Sequence, residues 1–131
     1  MIVDTNLLLR IIERDAGAHG QAARARVEDA RIGEPLTVFA ATVLEVVFVL
    51  ESGQAGYGWD RDSVSQAVEA IADEPGFAVE HGEQLRVAAL TYRDRSIDLH
   101  DCYLDALARE HETRILSFDR DLARLGTGER P

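Results

Sequence analysis

The sequence predicts a single α/β domain with a central, mostly parallel sheet of about four to five strands flanked by helices. Short apolar runs that suit buried strands alternate along the chain with longer segments of helical periodicity. A chain of 131 residues is long enough for one domain with a substantial core, and we expect a domain over 1–125 and a flexible tail over 126–131. Right-handed crossovers would gather the carboxyl ends of the strands at one edge of the sheet, where ligands bind in such folds.

The start of the chain is predicted to be a strand that breaks into a helix. Residues 1–3 form an apolar run that is too short for a surface helix. Asp4, Thr5 and Asn6 favour helix N-caps, and a segment with helical spacing of apolar residues follows them at once. The pattern therefore places the Asp4 carboxylate at the carboxyl end of a strand, although Asp4 could also serve only as the helix cap.

The rest of the chain continues this alternation. Residues 41–51 are apolar at almost every position, which leaves helix or strand open, although their length and start favour a helix that ends before Gly53, Gly56 and Gly58. The other predicted helices cover 18–32, 60–73, 83–95, 100–112 and 119–125, and the other predicted strands cover 36–39, 77–79 and 114–117.

The charge of the chain is strongly acidic. Its formal net charge is -10, from 24 acidic and 14 basic residues, which argues against a nucleic-acid binder held by bulk electrostatics. This charge does not exclude an enzyme that meets phosphates through a metal cation. Lysine is absent from the sequence, and Arg10, Arg14, Arg24 and Arg26 are candidates either for contacts with a nucleic-acid backbone or for a solvated helix face.

The sequence also bounds where the protein works. It contains no apolar run of the roughly 18 residues that a membrane span needs, and no basic leader precedes the first strand. The single cysteine, Cys102, rules out an internal disulfide and suits a reducing compartment. We therefore expect a cytoplasmic protein without a membrane partner.

Glu45 is a carboxylate inside the apolar segment 43–50. We expect it to be at least partly buried, where a charge is costly unless it is paired or bound to a metal. The alternative is a capping box, in which Glu45 folds back on a helix start at Thr42. Both interpretations place Glu45 close after a strand.

Further acidic residues lie at two other junctions. Asp101 and Asp105 are four residues apart and share one face of a predicted helix, unless Asp101 is only a first-turn acid and Asp105 is solvated. Asp119 and Asp121 follow a predicted strand, where Asp119 could simply cap the last helix. In a parallel sheet, four carboxylates could converge on one edge, those of Asp4, Glu45, Asp101 and Asp119. They would not all remain ionised without a cation, and hard oxygen ligands suit Mg²⁺ or Mn²⁺.

Four segments carry these acids: Met-Ile-Val-Asp-Thr-Asn at the start, the apolar helix with Glu45, His-Asp-Cys-Tyr-Leu-Asp-Ala-Leu-Ala from His100, and Leu-Ser-Phe-Asp-Arg-Asp-Leu from Leu116. Together they resemble a PIN domain and, more narrowly, the toxin of a VapBC toxin–antitoxin pair, in the same order and spacing over nearly the whole chain. By resemblance, the catalytic and metal-binding quartet is matched by Asp4, Glu45, Asp101 and Asp119. Secondary positions are matched by Asn6, Asp105, Ser117 and Asp121.

The resemblance implies a PIN-like fold and a metal-dependent endoribonuclease that uses one or two Mg²⁺ or Mn²⁺ ions and leaves 5′-phosphate and 3′-hydroxyl ends. It also implies an RNA substrate, a VapB-type antitoxin that occupies the cleft, and a homodimer, with DNA reached only indirectly through the antitoxin. Two alternatives belong to other classes: a catalytically silent PIN-like binding module, and a related metal-dependent DNA nuclease or phosphatase.

Overall fold

The structure, a computed structural model, describes residues 1–15, 17–54 and 57–131. These residues form seven helices and four strands. The helices are α1 (Thr5–Ile12), α2 (Ala18–Ile32), α3 (Ala40–Glu51), α4 (Arg61–Asp73), α5 (Gly82–Asp94), α6 (Leu99–Glu110) and α7 (Arg120–Leu125). The strands are β1 (Leu36–Val38), β2 (Phe77–Val79), β3 (Ile115–Leu116) and β4 (Gly128–Glu129). Gly56, one of the glycines expected to follow the third helix, lies outside the described residues.

The strands pair in the parallel direction. β1 pairs with β2, with Leu36 opposite Phe77 and Val38 opposite Val79. The first three residues run beside β1, where the Val3 amide donates to the Thr37 carbonyl at 2.9 Å and a single bridge joins Ile2 to Thr37. β3 pairs with β4. The α/β class is thus confirmed, but the strands of the described residues form two parallel pairs instead of one continuous ladder, since each strand is only two or three residues long.

Residues 41–51, for which the sequence allows either a helix or a strand, lie in helix α3. A helix that is apolar on nearly every side belongs in the interior, and Val43, Val46 and Leu50 are fully buried. Phe39 supplies no side-chain cap at its start. Instead, the carboxylate of Glu80, which follows β2, accepts a 3.1 Å hydrogen bond from the Ala40 amide. The first turn of α3 is therefore held to the end of the neighbouring strand.

The connection between α5 and α6 is fixed by Arg61 of α4. Its guanidinium donates to the carbonyl of Tyr92 at 2.9 Å and to the carbonyl of Arg95 at 2.7 Å, and it also donates to the carbonyl of Ile97. The same group lies 3.8 Å from the centre of the Tyr92 ring, which is a cation–π contact. These contacts set the position from which α6 and its Asp101 begin.

The end of the chain differs from the expected flexible tail, because Gly128 and Glu129 form β4. The Ile115 amide donates to the carbonyl of Thr127 at 2.9 Å, and Thr127 is buried. Gly128 packs so closely on α7 that a Cβ there would lie 2.6 Å from the backbone of Leu122 and of Ala123. The folded unit therefore continues past Leu125, the predicted domain boundary. Within the described ranges, every helix is too short or too polar to cross a membrane.

Candidate metal centre

Three aspartates from two elements converge. Asp101 lies in the first turn of α6, while Asp119 and Asp121 lie where β3 passes into α7. One carboxylate oxygen from each of the three lies within 4.8 Å of the others. The structure thus brings together Asp101 and Asp119, two of the four predicted site residues, with Asp121, predicted as an accessory acid.

The turn between β3 and α7 is held by local hydrogen bonds. The Ser117 amide donates to the carbonyl of Glu129 at 3.0 Å, which extends the pairing of β3 with β4. The Ser117 hydroxyl then accepts from the Asp119 amide at 3.0 Å, and Oδ1 of Asp119 accepts from the Asp121 amide at 2.7 Å. Asp119 is therefore the N-cap of α7, as the alternative interpretation had it, and is also a member of the acidic group.

Asp101 has the most perturbed surroundings of the group. Partial burial raises the pKa of its carboxyl, and the negative charge of Asp119 raises it further. Asp98 and Asp121 act in the same direction, and His100 opposes them. In the described part of the chain, no hydrogen bond or ion pair satisfies the Asp101 carboxylate. A cation placed among the three aspartates would relieve this repulsion.

The donor set suits a hard divalent ion. It consists of carboxylate oxygens, the ligands that Mg²⁺ and Mn²⁺ prefer, and not of the nitrogen and sulfur atoms typical of structural zinc sites. Arg124 reaches the set, because its guanidinium lies 3.0 Å from Oδ1 of Asp121 and offsets part of that charge. Asp101 and Asp119 have no such ion pair among the described residues, so these two fit best as ligands.

Asp4 and Glu45 are linked to each other through Thr5 and lie outside the three-aspartate group. Asp4 is the N-cap of α1, and its Oδ1 accepts from the Leu7 amide at 2.9 Å. The Thr5 hydroxyl donates to Oε2 of Glu45 at 2.7 Å. Each carboxylate keeps its second oxygen for another partner. The expectation that Glu45 is buried is wrong, since its side chain is exposed, and so is the capping-box alternative, because Glu45 bonds to Thr5 and not to the start of its own helix.

Asp105 has a different environment from the other acids. It is only 5% exposed, so the alternative of a solvated side chain is wrong. Its Oδ1 accepts from the Thr127 hydroxyl at 2.5 Å, and its Oδ2 accepts from Nε of Arg109 at 3.0 Å. Asp105 thus ties α6 to the segment before β4 and lies outside the acidic group. Asn6 is exposed, and its side chain makes no hydrogen bond within the residues that the structure describes.

Two contributing residues were not singled out in the sequence as site residues. Thr5 was assigned only to the helix cap, although its place directly after Asp4 was the signal that it could reach a neighbouring acid. Thr127 lies in a Gly-Thr-Gly segment with no apolar pattern, and nothing in the sequence links it to Asp105.

A large groove lies away from the acidic group. It is a groove of about 800 Å³ between the end of α1 and α4, with Tyr57 and Trp59 at its wall. None of the four predicted catalytic acids lines it. Because its lining includes none of the three aspartates of the acidic group, the groove is not the candidate catalytic site.

The chain is similar to known proteins over nearly its whole length. A family model described as the PIN domain matches residues 1–128. This range includes β1, β2, β3 and the first residue of β4. The chain is also similar to a protein named VapC ribonuclease from Aquifex aeolicus (strain VF5). The two are 28% identical over 126 residues, which cover 95% of this chain and 91% of that relative.

Proposed function

The chain belongs to the PIN domain family, and on that premise we propose that it is a metal-dependent endoribonuclease that hydrolyses RNA phosphodiester bonds. The observation that carries the proposal is the convergence of the Asp101, Asp119 and Asp121 carboxylates. The RNA substrate is inferred from the likeness to a VapC ribonuclease. A Mg²⁺ or Mn²⁺ ion, or a pair of them, would act as a Lewis acid on the phosphate and lower the pKa of the attacking water.

In this proposal the two sets of acids have different tasks. Asp101 and Asp119 would hold the cation directly, and Asp121 would add negative charge beside them. Asp4 would offer the cation its Oδ2, since its Oδ1 accepts the N-cap hydrogen bond. Glu45 either ligates or accepts a proton from the attacking water through the oxygen that does not bond Thr5. Ser117 positions Asp119 through its hydroxyl.

We also propose that the protein is the toxin of a VapBC-type pair and works in the cytoplasm. A VapB-type antitoxin would neutralise it by occupying the acidic cleft, and DNA would be met only through that antitoxin. The net charge of -10 supports this pairing, since an acidic surface attracts a basic segment of a partner. A homodimer is part of the same proposal.

The test is an RNA cleavage assay on protein purified free of any partner. We expect cleavage with Mn²⁺, loss of cleavage with EDTA, and a loss of at least a hundredfold in Asp101→Asn, Asp119→Asn and Asp4→Ala. The matched control is Asp94→Asn, which changes an exposed aspartate on α5 and should cleave as well as the unchanged protein. Cleavage that persists in EDTA, or in all three site variants, would refute the proposal.

Two further measurements separate the alternatives. RNA, single-stranded DNA and a phosphomonoester are compared under the same conditions, and we expect hydrolysis of RNA alone. Calorimetric titration with Mn²⁺ then addresses the silent binding module. Heat of binding that is present in the unchanged protein and absent in Asp101→Asn is expected, and no binding in a folded protein would favour the silent module.

A further inference from the structure

Phe118 stands beside the acidic group and is 71% exposed. A single exposed apolar side chain is ordinary in a soluble protein, so its exposure alone carries nothing. The position of Phe118 is more informative, because it lies at the bend between β3 and α7. The next residue, Asp119, belongs to the acidic group. Consecutive Cα atoms are about 3.8 Å apart, so the exposed ring starts from a backbone position directly next to a member of the acidic group.

The backbone on both sides of Phe118 is fixed. Before it, the Ser117 amide is bonded to the carbonyl of Glu129, and after it, the Asp119 amide is bonded to the Ser117 hydroxyl, each at 3.0 Å. The ring is therefore presented from an ordered turn, and binding a ligand there costs little additional ordering of the backbone.

A guanidinium without a partner follows the ring. Arg114 pairs with Glu129 and Arg124 pairs with Asp121, each at 3.0 Å. Arg120 is exposed, and within the described residues it makes no hydrogen bond or ion pair. An unpaired arginine among acidic residues suits a ligand that brings its own negative charge, such as a phosphate.

The arginines suggested by the sequence are less suitable for this task. Arg10 forms a 2.7 Å ion pair with Asp15, and Arg24 donates to the carbonyl of Asp15 at 2.8 Å. Both are thus engaged near the end of α1. Arg120, by contrast, combines a guanidinium that has no partner among the described residues with a place next to the acidic group.

We propose that the Phe118 ring stacks on an unpaired base next to the scissile phosphate, and that Arg120 contacts a neighbouring phosphate. The proposal rests on the proposed function and adds the residues that would contact the substrate beside the acidic group. An aromatic ring stacks on any base whose face is free, and a duplex hides those faces between neighbouring pairs. Phe118 thus selects for unpaired RNA without selecting a base.

The kinetic test compares Phe118→Ala with Phe118→Tyr on an unpaired RNA. Stacking of one base corresponds to about a five- to hundredfold effect, so we expect KM to rise by that factor in Phe118→Ala while kcat changes little. Phe118→Tyr should restore the KM, because it keeps an aromatic face. The matched control is Leu116→Ala, which removes a residue that is 72% exposed on the same strand and should leave KM unchanged. Equal effects of the two alanine variants would overturn the proposal.

A binding test is independent of cleavage. RNA that carries 2-aminopurine is titrated with the Asp101→Asn variant, with and without Phe118→Ala, and quenching that depends on Phe118 is expected. The salt dependence of binding should lose about one unit of slope in Arg120→Ala. If Phe118→Ala instead changes the oligomeric state and leaves quenching intact, the ring belongs to a protein interface and the proposal is wrong.

The two proposals fail in different ways. Quenching that depends on Phe118, together with no cleavage of RNA by the unchanged protein, would refute the nuclease and keep the stacking site. Cleavage with the same KM in Phe118→Ala and the unchanged protein would refute the stacking site alone.

Discussion

The hydroxyl of Thr5 donates a 2.7 Å hydrogen bond to Oε2 of Glu45, which joins the start of α1 to α3 across 40 positions of sequence. Thr5 is the residue directly after Asp4. The orientation of the Glu45 carboxylate therefore depends on the residue next to Asp4, another proposed site acid. Oε1 of Glu45 makes no hydrogen bond to the described residues and is the oxygen more open to a metal or a proton.

Replacement of Thr5 by Val should therefore weaken catalysis without unfolding the protein. The change removes the donor and nearly preserves the shape of the side chain. We expect kcat for RNA cleavage with Mn²⁺ to fall by about threefold to tenfold, which corresponds to about 0.6–1.4 kcal/mol, the net contribution of one ordinary hydrogen bond. Thr91→Val, which removes a hydroxyl that bonds only to its own helix, is the control. An unchanged kcat in Thr5→Val would show that Glu45 needs no such support.

The raised pKa of Asp101 predicts how stability depends on pH in the metal-free protein. The folded state holds the proton of the Asp101 carboxyl more tightly than the unfolded chain does. The contribution of this protonated carboxyl to stability is therefore fully present below about pH 4 and is lost as the pH rises through the raised pKa. At pH 7 the charged Asp101 is unfavourable. We expect Asp101→Asn to raise the Tm there by about 1–3 °C, a modest value since the group is partly exposed. Thermal unfolding in EDTA at pH 4 and pH 7 measures the difference, which should vanish at the lower pH.

Metal binding should reverse that order. A ligand that binds only the folded state raises stability by about 2.7 kcal/mol when it is present at 100 times its dissociation constant. Adding Mn²⁺ should thus raise the Tm of the unchanged protein by several degrees and that of Asp101→Asn by much less. Thermal unfolding of both proteins with Mn²⁺ and without EDTA measures the two shifts in Tm. Equal shifts in both proteins would place the cation elsewhere.

Asp105 should be important for stability and not for metal affinity. Asp105→Ala leaves the buried Thr127 hydroxyl without its acceptor and removes the ion pair with Arg109, at a cost of about 2–3 kcal/mol in the free energy of unfolding. Urea unfolding measures this loss, and Glu110→Gln on the exposed side of the same helix should change little. Mn²⁺ titration of the variant that remains folded should give the affinity of the unchanged protein. A large loss of affinity would make Asp105 an accessory metal residue after all.

Gly128 tests whether the last strand is packed. In Gly128→Ala the added methyl group meets backbone atoms of α7 that cannot move independently, and we expect a loss of about 1–3 kcal/mol. Gly53→Ala is the matched control, since no atom of the residues that the structure describes lies within 4 Å of a Cβ at that position. Denaturation of the two variants side by side decides the matter, and equal stability would mean that the end of the chain is loosely held.

Elements with a strong apolar period were predictable from the sequence. Residues Val64, Val68 and Ile71 recur at helical spacing, and they form the buried face of α4. The end of the chain was not predictable, because Gly128 and Glu129 carry no apolar signal and become a strand only through pairing with β3. Propensity gives no information where a partner strand decides the structure.

The acidic group was predictable only in part, because Asp101 and Asp119 belong to it while Asp4 and Glu45 lie outside it. The position of Asp119 after a strand correctly indicated that it would approach Asp101. The sequence could not separate Asp105 from that group, because Asp101 and Asp105 lie on the same helix. Only their hydrogen-bond partners distinguish these two acids. For Asp105 the partner is Thr127, 22 positions later, a separation that no local pattern encodes.

The pairing of β3 with β4 has a consequence for folding. Only the short helix α7 separates these two parallel strands, so closing the unit requires little loss of chain entropy. Low contact order favours fast formation, and we expect the turn that carries Asp119 and Asp121 to be ordered before α1 meets α3. The last step in building the site would then be the long-range arrival of Glu45 at Thr5.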